Sequence, residues 1–281
     1  MIDRSGKTAA GAAVIVYVAA FVVGAIVMSF EMLGSRYLNP FFGSGIYTWA
    51  ALISTVLAAL CIGYFLGGWL ADRAPSMAVL GTTVIAGSAY VLLIPAFADR
   101  MLEFLLAGID DVRNGSLVAS FALLFFPVTL LGMYSPFAIR LLLNDPKHSG
   151  RVSGTVYGIN TLGSIVGTLA TTFYLIPLMG SRAITLSLGI GGILAGVVLI
   201  AAARLTRRAP AIVLAACIAG LGLTPYAAAE DLIDAAARET MLKRKDGQID
   251  HVETPYNDIF VSKEGDELSM AFQLKGWDFT Q

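Results

Sequence analysis

Residues 12–30 read Ala-Ala-Val-Ile-Val-Tyr-Val-Ala-Ala-Phe-Val-Val-Gly-Ala-Ile-Val-Met-Ser-Phe. No charged side chain interrupts them. A helix rises 1.5 Å per residue, so such a run can cross the roughly 30 Å hydrocarbon core of a bilayer. The signal recurs along the chain. It predicts spans at about 11–33, 46–70, 78–98, 116–141, 153–178, 183–203 and 210–227. The first run lacks a small-residue cleavage site after a short apolar core, which makes it an anchor and not a signal peptide. Residues 101–109 are too short to span and read as an interfacial helix.

Composition agrees. Hydrophobic residues form 57% of the 281 residues and charged residues only 14%, with mean hydropathy +0.74. Soluble domains carry about a quarter charged residues. The expected fold is an α-helical integral membrane protein. Residues 1–228 would form a bundle of about seven helices, and residues 229–281 a soluble tail. A net charge of −1 gives no basic field for nucleic acid. Cys61 and Cys217 lie far apart in apolar runs and read as helix-packing residues, with no metal cluster and no disulfide framework.

Short cytoplasmic loops are enriched in Lys and Arg. With the N-terminus inside, the inner segments hold Arg4, Lys7, Arg73, Arg140, Lys147, Arg151, Arg204, Arg207 and Arg208. The outer ones hold Arg36, Arg100, Arg113 and Arg182. That imbalance favours a cytoplasmic N-terminus. Thr206-Arg207-Arg208 before the seventh run, and Tyr226-Ala-Ala-Ala229 after it, resemble an internal signal sequence. A seventh span would put the tail outside. Lys243-Arg244-Lys245 argues the other way.

Lipid supplies no hydrophobic drive between helices, so small residues should mediate close packing. The pairs Gly63/Gly67, Gly154/Gly158, Gly163/Gly167 and Gly192/Gly196 have that spacing. Ionisable groups inside a bilayer are costly and usually functional. Glu31 and Arg36 read as the outer end of span one, Asp72 and Arg73 as the inner end of span two, and Arg140 as the inner end of span four. Glu31 and Arg36 could pair if the helix ends near Gly34. Asn160 reads as an interhelical hydrogen-bonding residue. Asn39-Pro-Phe-Phe-Gly-Ser-Gly45, with Tyr47 and Trp49, reads as an outer turn with an aromatic belt. With no acid in mid-membrane, a proton-coupled transporter is disfavoured.

In the tail, residues 230–245 read as a surface helix, acidic at its start and basic at its end. The period then becomes two. Asn257, Ile259 and Val261 alternate with Tyr256, Asp258 and Phe260. After a turn at Lys263–Glu267, Leu268, Met270, Phe272 and Leu274 alternate with polar or small residues. This predicts a β-hairpin. A lone hairpin is marginal in water, so a second protein chain or another copy should cover 256–274.

Several segments together resemble the membrane-fused spermidine synthase family, a half of the major facilitator type joined to a synthase. They are Met28-Ser-Phe-Glu-Met-Leu-Gly-Ser-Arg-Tyr-Leu-Asn-Pro40, Gly63-Tyr-Phe-Leu-Gly-Gly-Trp-Leu-Ala-Asp-Arg73, Gly132-Met-Tyr-Ser-Pro-Phe-Ala-Ile-Arg140 and the glycine-rich stretch 154–168. Gly68–Arg73 is also similar to the facilitator loop signature. Glu253-Thr-Pro-Tyr-Asn-Asp-Ile-Phe-Val261 resembles the opening strand of aminopropyltransferases. The resemblance implies a substrate-site position at Asn257, flanked by Tyr256 and Asp258, where the soluble enzymes carry Gln. It also implies that the Rossmann-like domain for decarboxylated S-adenosylmethionine would lie beyond Gln281. The expectation is a membrane subunit or anchor, in a bacterial inner membrane, that docks a synthase-like partner and is not catalytic alone. The alternatives are a transporter or half-transporter of polyamine type and an accessory subunit of a larger complex.

Overall fold

A computed structural model describes residues 6–109, 111–143, 145–202, 248–253, 258–264 and 267–272. Five helical segments are long and apolar enough to cross a membrane: Gly11–Phe42, Ile46–Arg73, Met77–Gly108, Val112–Leu142 and Pro146–Ala202. They correspond to α1 (Gly6–Phe42), α2 (Ile46–Arg73), α3 (Met77–Gly108), a fourth segment of α4 (Val112–Ser120), α5 (Phe126–Gly132) and α6 (Tyr134–Leu142), and a fifth of α7 (Ser149–Ala170) and α8 (Ile176–Ala202). The predicted seventh span 210–227 and the surface helix 230–245 lie outside the described residues.

The helix ends follow from local chemistry. Ser76 caps α3, its Oγ accepting from the Ala78 N–H at 3.2 Å. Asp111 caps α4, accepting from the Arg113 N–H at 3.1 Å. Such oxygens satisfy amide donors that the first turn leaves unpaired. Gly43, at φ 74°, lets the chain turn out of α1.

Two boundaries differ from the sequence reading. The first helix does not end near residue 33 but runs to Phe42, carrying Pro40 in its last turn. Pro costs little there, because the ring blocks only one upstream bond near an end that already frays. Asn39–Phe42 is therefore helix, and only residues 43–45 form the turn. Residues 101–108 are no separate interfacial helix; they continue α3 past Pro95.

Close glycine contacts fix the helix directions. On α7, Gly163 meets the backbone of Phe21 and Gly167 that of Ala25, so α7 runs parallel to α1. On α8, Gly189 meets Leu92, Gly192 meets Ser88 and Gly196 meets Gly81 and Ile85, so α8 runs antiparallel to α3. Gly63 meets Thr129 and Gly132, and Gly67 meets Met133, so the fourth segment follows α2. Short turns make α1, α2 and α3 alternate. The fifth segment must therefore reverse, and it does so at Gly180, where φ is 71° and ψ 159°. An L side chain rarely adopts that conformation. The described helices thus make six alternating traverses, and Ala202 returns to the N-terminal end of the bundle.

The core follows α1. Phe30, Leu33 and Leu38 are almost fully buried, together with Leu52, Leu80, Leu124, Tyr134 and Phe137 from its neighbours. Tyr134, wholly enclosed, donates its hydroxyl to the Val16 carbonyl at 2.6 Å. Two π turns interrupt the helices, Phe121–Phe125 before α5 and Thr171–Leu175 before α8.

Three short strands follow, β1 (Gln248–Glu253), β2 (Asp258–Glu264) and β3 (Glu267–Phe272). They form one antiparallel sheet in the order β1-β2-β3. His251 lies opposite Phe260 across the first pair, and Val261 opposite Met270 across the second.

Candidate functional site

Charged groups gather at both ends of the bundle. At the N-terminal end, Arg140 Nε donates to Asp72 Oδ1 at 3.2 Å and joins the fourth segment to α2. Arg73 stacks over the Trp69 ring, 3.9 Å from its centroid. The Asp72–Arg140 pair is exposed, so water screens most of its energy.

At the opposite end, Arg182 bonds the Asp99 carboxylate and ties the start of the descending arm of α8 to α3. Each side chain keeps under a fifth of its surface exposed. Nearby in the fold, Tyr37 donates its hydroxyl to Thr185 Oγ1 at 3.0 Å. Arg113 lies over Tyr47, 4.7 Å from the ring centroid. Arg36, Asn39 and Glu103 are also engaged in contacts. Asp99 drew no attention in the sequence, and Arg182 entered only as a loop charge. Their separation of 83 residues carries no periodic signal; only knowing that α3 and α8 run antiparallel would have joined them.

Glu31 differs from all of these. It lies eleven residues before Phe42, the last residue of α1, or about 16 Å along the axis. The sequence placed it at a helix end; the structure places it well inside the helix. Its relative exposure is 8%. Among the described residues its carboxylate makes no hydrogen bond and no ion pair. The pairing with Arg36 that an earlier helix end would have permitted does not form, because both residues sit on an unbroken helix five positions apart.

Asn160 packs on the outer face of Gly24, where an added Cβ would overlap its carbonyl oxygen and Oδ1. That Oδ1 is buried without a hydrogen-bond partner. The interhelical hydrogen bond at this level comes from Ser164, whose Oγ donates to the Gly24 carbonyl at 3.2 Å. Three of the four glycine pairs meet a neighbouring backbone. A Cβ added at Gly154 or Gly158 would meet nothing within 4 Å, so their spacing marks no interface among the described residues.

Of the tail positions, Tyr256 and Asn257 lie outside the described residues, and Asp258 opens β2. Among the described residues, no three His, Cys, Asp or Glu side chains are grouped as a metal site. The chain matches no protein-family model, no curated protein and no solved structure.

Proposed function

We propose that this chain is the membrane subunit of a spermidine synthase-like system, holding its C-terminal strands out for a synthase-like partner. The observation that carries this reading is the antiparallel sheet over 248–272, with β2 beginning within the segment that resembles an aminopropyltransferase opening strand. A three-stranded sheet this short needs an apolar cover to persist in water. In this reading the partner chain supplies that cover, and the helical bundle anchors the assembly in a bacterial inner membrane. The N-terminus is cytoplasmic, and a seventh span over 210–227 carries the strands to the outer side.

Decarboxylated S-adenosylmethionine belongs to the partner. Residues 248–272 contain a single glycine, Gly265, and no Gly-rich loop to cradle a nucleoside. No aminopropyl-transfer step is therefore assigned to this chain.

Co-purification tests the reading. The full chain and a variant lacking 249–281 are each expressed with the synthase-like chain encoded beside it. Recovery of the partner with the full chain alone supports the anchor role, and equal recovery with both overturns it. A second reading, small-molecule transport, is favoured by one observation: the buried and unpaired carboxylate of Glu31.

A further inference from the structure

One face of α2 carries exposed aromatic side chains toward both of its ends: Tyr47 is 48% exposed, Phe65 76% and Trp69 55%. Phe65 follows Tyr47 by 18 residues, or five full turns, and Trp69 and Arg73 follow at four-residue steps. All four therefore share one stripe. Gly63 and Gly67 lie off it and meet the fourth segment, so the stripe looks out of the bundle. From Tyr47 to Trp69 the helix rises about 33 Å, close to the roughly 30 Å hydrocarbon core, and aromatic side chains favour the two boundaries of that core. Arg73, about 6 Å further along, then lies at the depth of the lipid phosphates.

Arg73 is both oriented and uncompensated. Its guanidinium carbon sits over the Trp69 ring, 3.9 Å from the centroid. Stacking holds the flat group by its face and leaves its N–H edge available. The adjacent acid, Asp72, is taken by Arg140 at 3.2 Å. Among the described residues Arg73 makes no ion pair. On the core side of the stack, Phe65 and Ile62, the latter 41% exposed, continue the same face as an apolar track. The guanidinium edge calls for an anion and the track calls for hydrocarbon.

We propose that the Trp69–Arg73 pair is a binding site for an anionic phospholipid in the leaflet at the N-terminal end of the bundle. The lipid phosphate accepts from the Arg73 guanidinium, as phosphates do from arginine's planar fork, and an acyl chain lies along Phe65 and Ile62. A zwitterionic headgroup carries its own cation, which competes with Arg73 for the phosphate. A free phosphate ion would leave the apolar track unused. The site rests on α2 alone and is independent of whether the tail docks a partner.

The test uses the full chain with Trp49→Phe and Trp277→Phe, which makes Trp69 the sole indole. It is placed in phosphatidylcholine nanodiscs containing rising fractions of phosphatidylglycerol or phosphatidylcholine brominated on the acyl chains. Bromine quenches Trp69 only on contact, so the two curves give the relative affinity at this position. Phosphatidylglycerol should be preferred about five-fold, the contribution of one basic residue near an anionic surface. The preference should disappear in Arg73→Gln and survive in Lys147→Gln, which removes a charge elsewhere at the same end. Equal quenching by both lipids overturns the site, as does a preference that Arg73→Gln leaves intact. Equal loss in Lys147→Gln also overturns it, because a general basic field is then sufficient. Absence of quenching by either lipid means that another chain covers this face. Abolition of the preference by inorganic phosphate, at constant ionic strength, means that the ligand is a free anion; either result overturns the proposal.

Discussion

The two arms of the fifth helical segment carry the same small-residue spacing and use it differently. On the 181–202 arm, Gly189, Gly192 and Gly196 all press against α3, and most of the arm is buried. On the 149–179 arm, Gly163 and Gly167 press against α1, while a Cβ added at Gly154 or Gly158, earlier on the same helix, would meet nothing among the described residues. Tyr157, Leu162, Ile165, Val166 and Leu169 are exposed on the same arm. Spacing permits close approach of two backbones. Whether a neighbour arrives depends on where the helix lies in the bundle, and one chain read alone does not tell the two cases apart.

Substitution breaks the comparison most sharply at Gly167. A leucine there would overlap the Ala25 backbone, which cannot swing aside as a side chain can. Gly167→Leu should cost about 3 kcal/mol, the upper part of the overpacking range, and shift the protein toward aggregates in size-exclusion chromatography. Next comes the ion pair that pins the start of the other arm. Arg182→Leu takes the ion-pair partner from Asp99, whose side chain is 19% exposed, which should cost about 2 kcal/mol, reduced from the fully buried case by residual water. Part of that loss should return in the Asp99→Asn/Arg182→Leu double variant, because the stranded charge is gone; thermal unfolding of the three variants checks this. Gly180→Ala forces a Cβ into a positive-φ conformation and should cost about 1 kcal/mol, again read by thermal unfolding. At the small end, Gly154→Leu should leave the unfolding midpoint within the scatter of surface substitutions, about 0.5 kcal/mol. A large loss at Gly154 would mean that a neighbour covers this face after all.

Much of the fold was legible because lipid imposes a simple rule: an uncharged run long enough to cross must be helical. All five long helical segments lie where hydropathy put six of the predicted spans, with the reversal at Gly180 falling between the fifth and sixth. Boundaries were less legible. Phe41 and Phe42 continue α1 across Pro40, and Met101–Gly108 continues α3 across Pro95, because a proline near a helix end, or one supported by neighbouring helices, need not stop it. The candidate site was half legible. Glu31 stood out as an acid in an apolar helix, but its depth depended on where α1 ended. That Thr129 Oγ1 is buried without a hydrogen-bond partner follows from helix packing, which no local pattern encodes. Asn160 shows the same limit: its position near Gly24 follows from the α1–α7 pairing, while the hydrogen bond expected of it is made by Ser164.

The reversal at Gly180 is the claim on which the six alternating traverses rest, and side-specific labelling tests it most directly. In a Cys61→Ala/Cys217→Ala background, single cysteines replace Gly45, Lys147 and Ala202, and a membrane-impermeant thiol reagent is applied to each face of sealed vesicles in turn. The alternating bundle predicts that Ala202→Cys labels from the same face as Lys147→Cys, and that Gly45→Cys labels from the opposite face. Labelling of Ala202→Cys from the face that labels Gly45→Cys would contradict it.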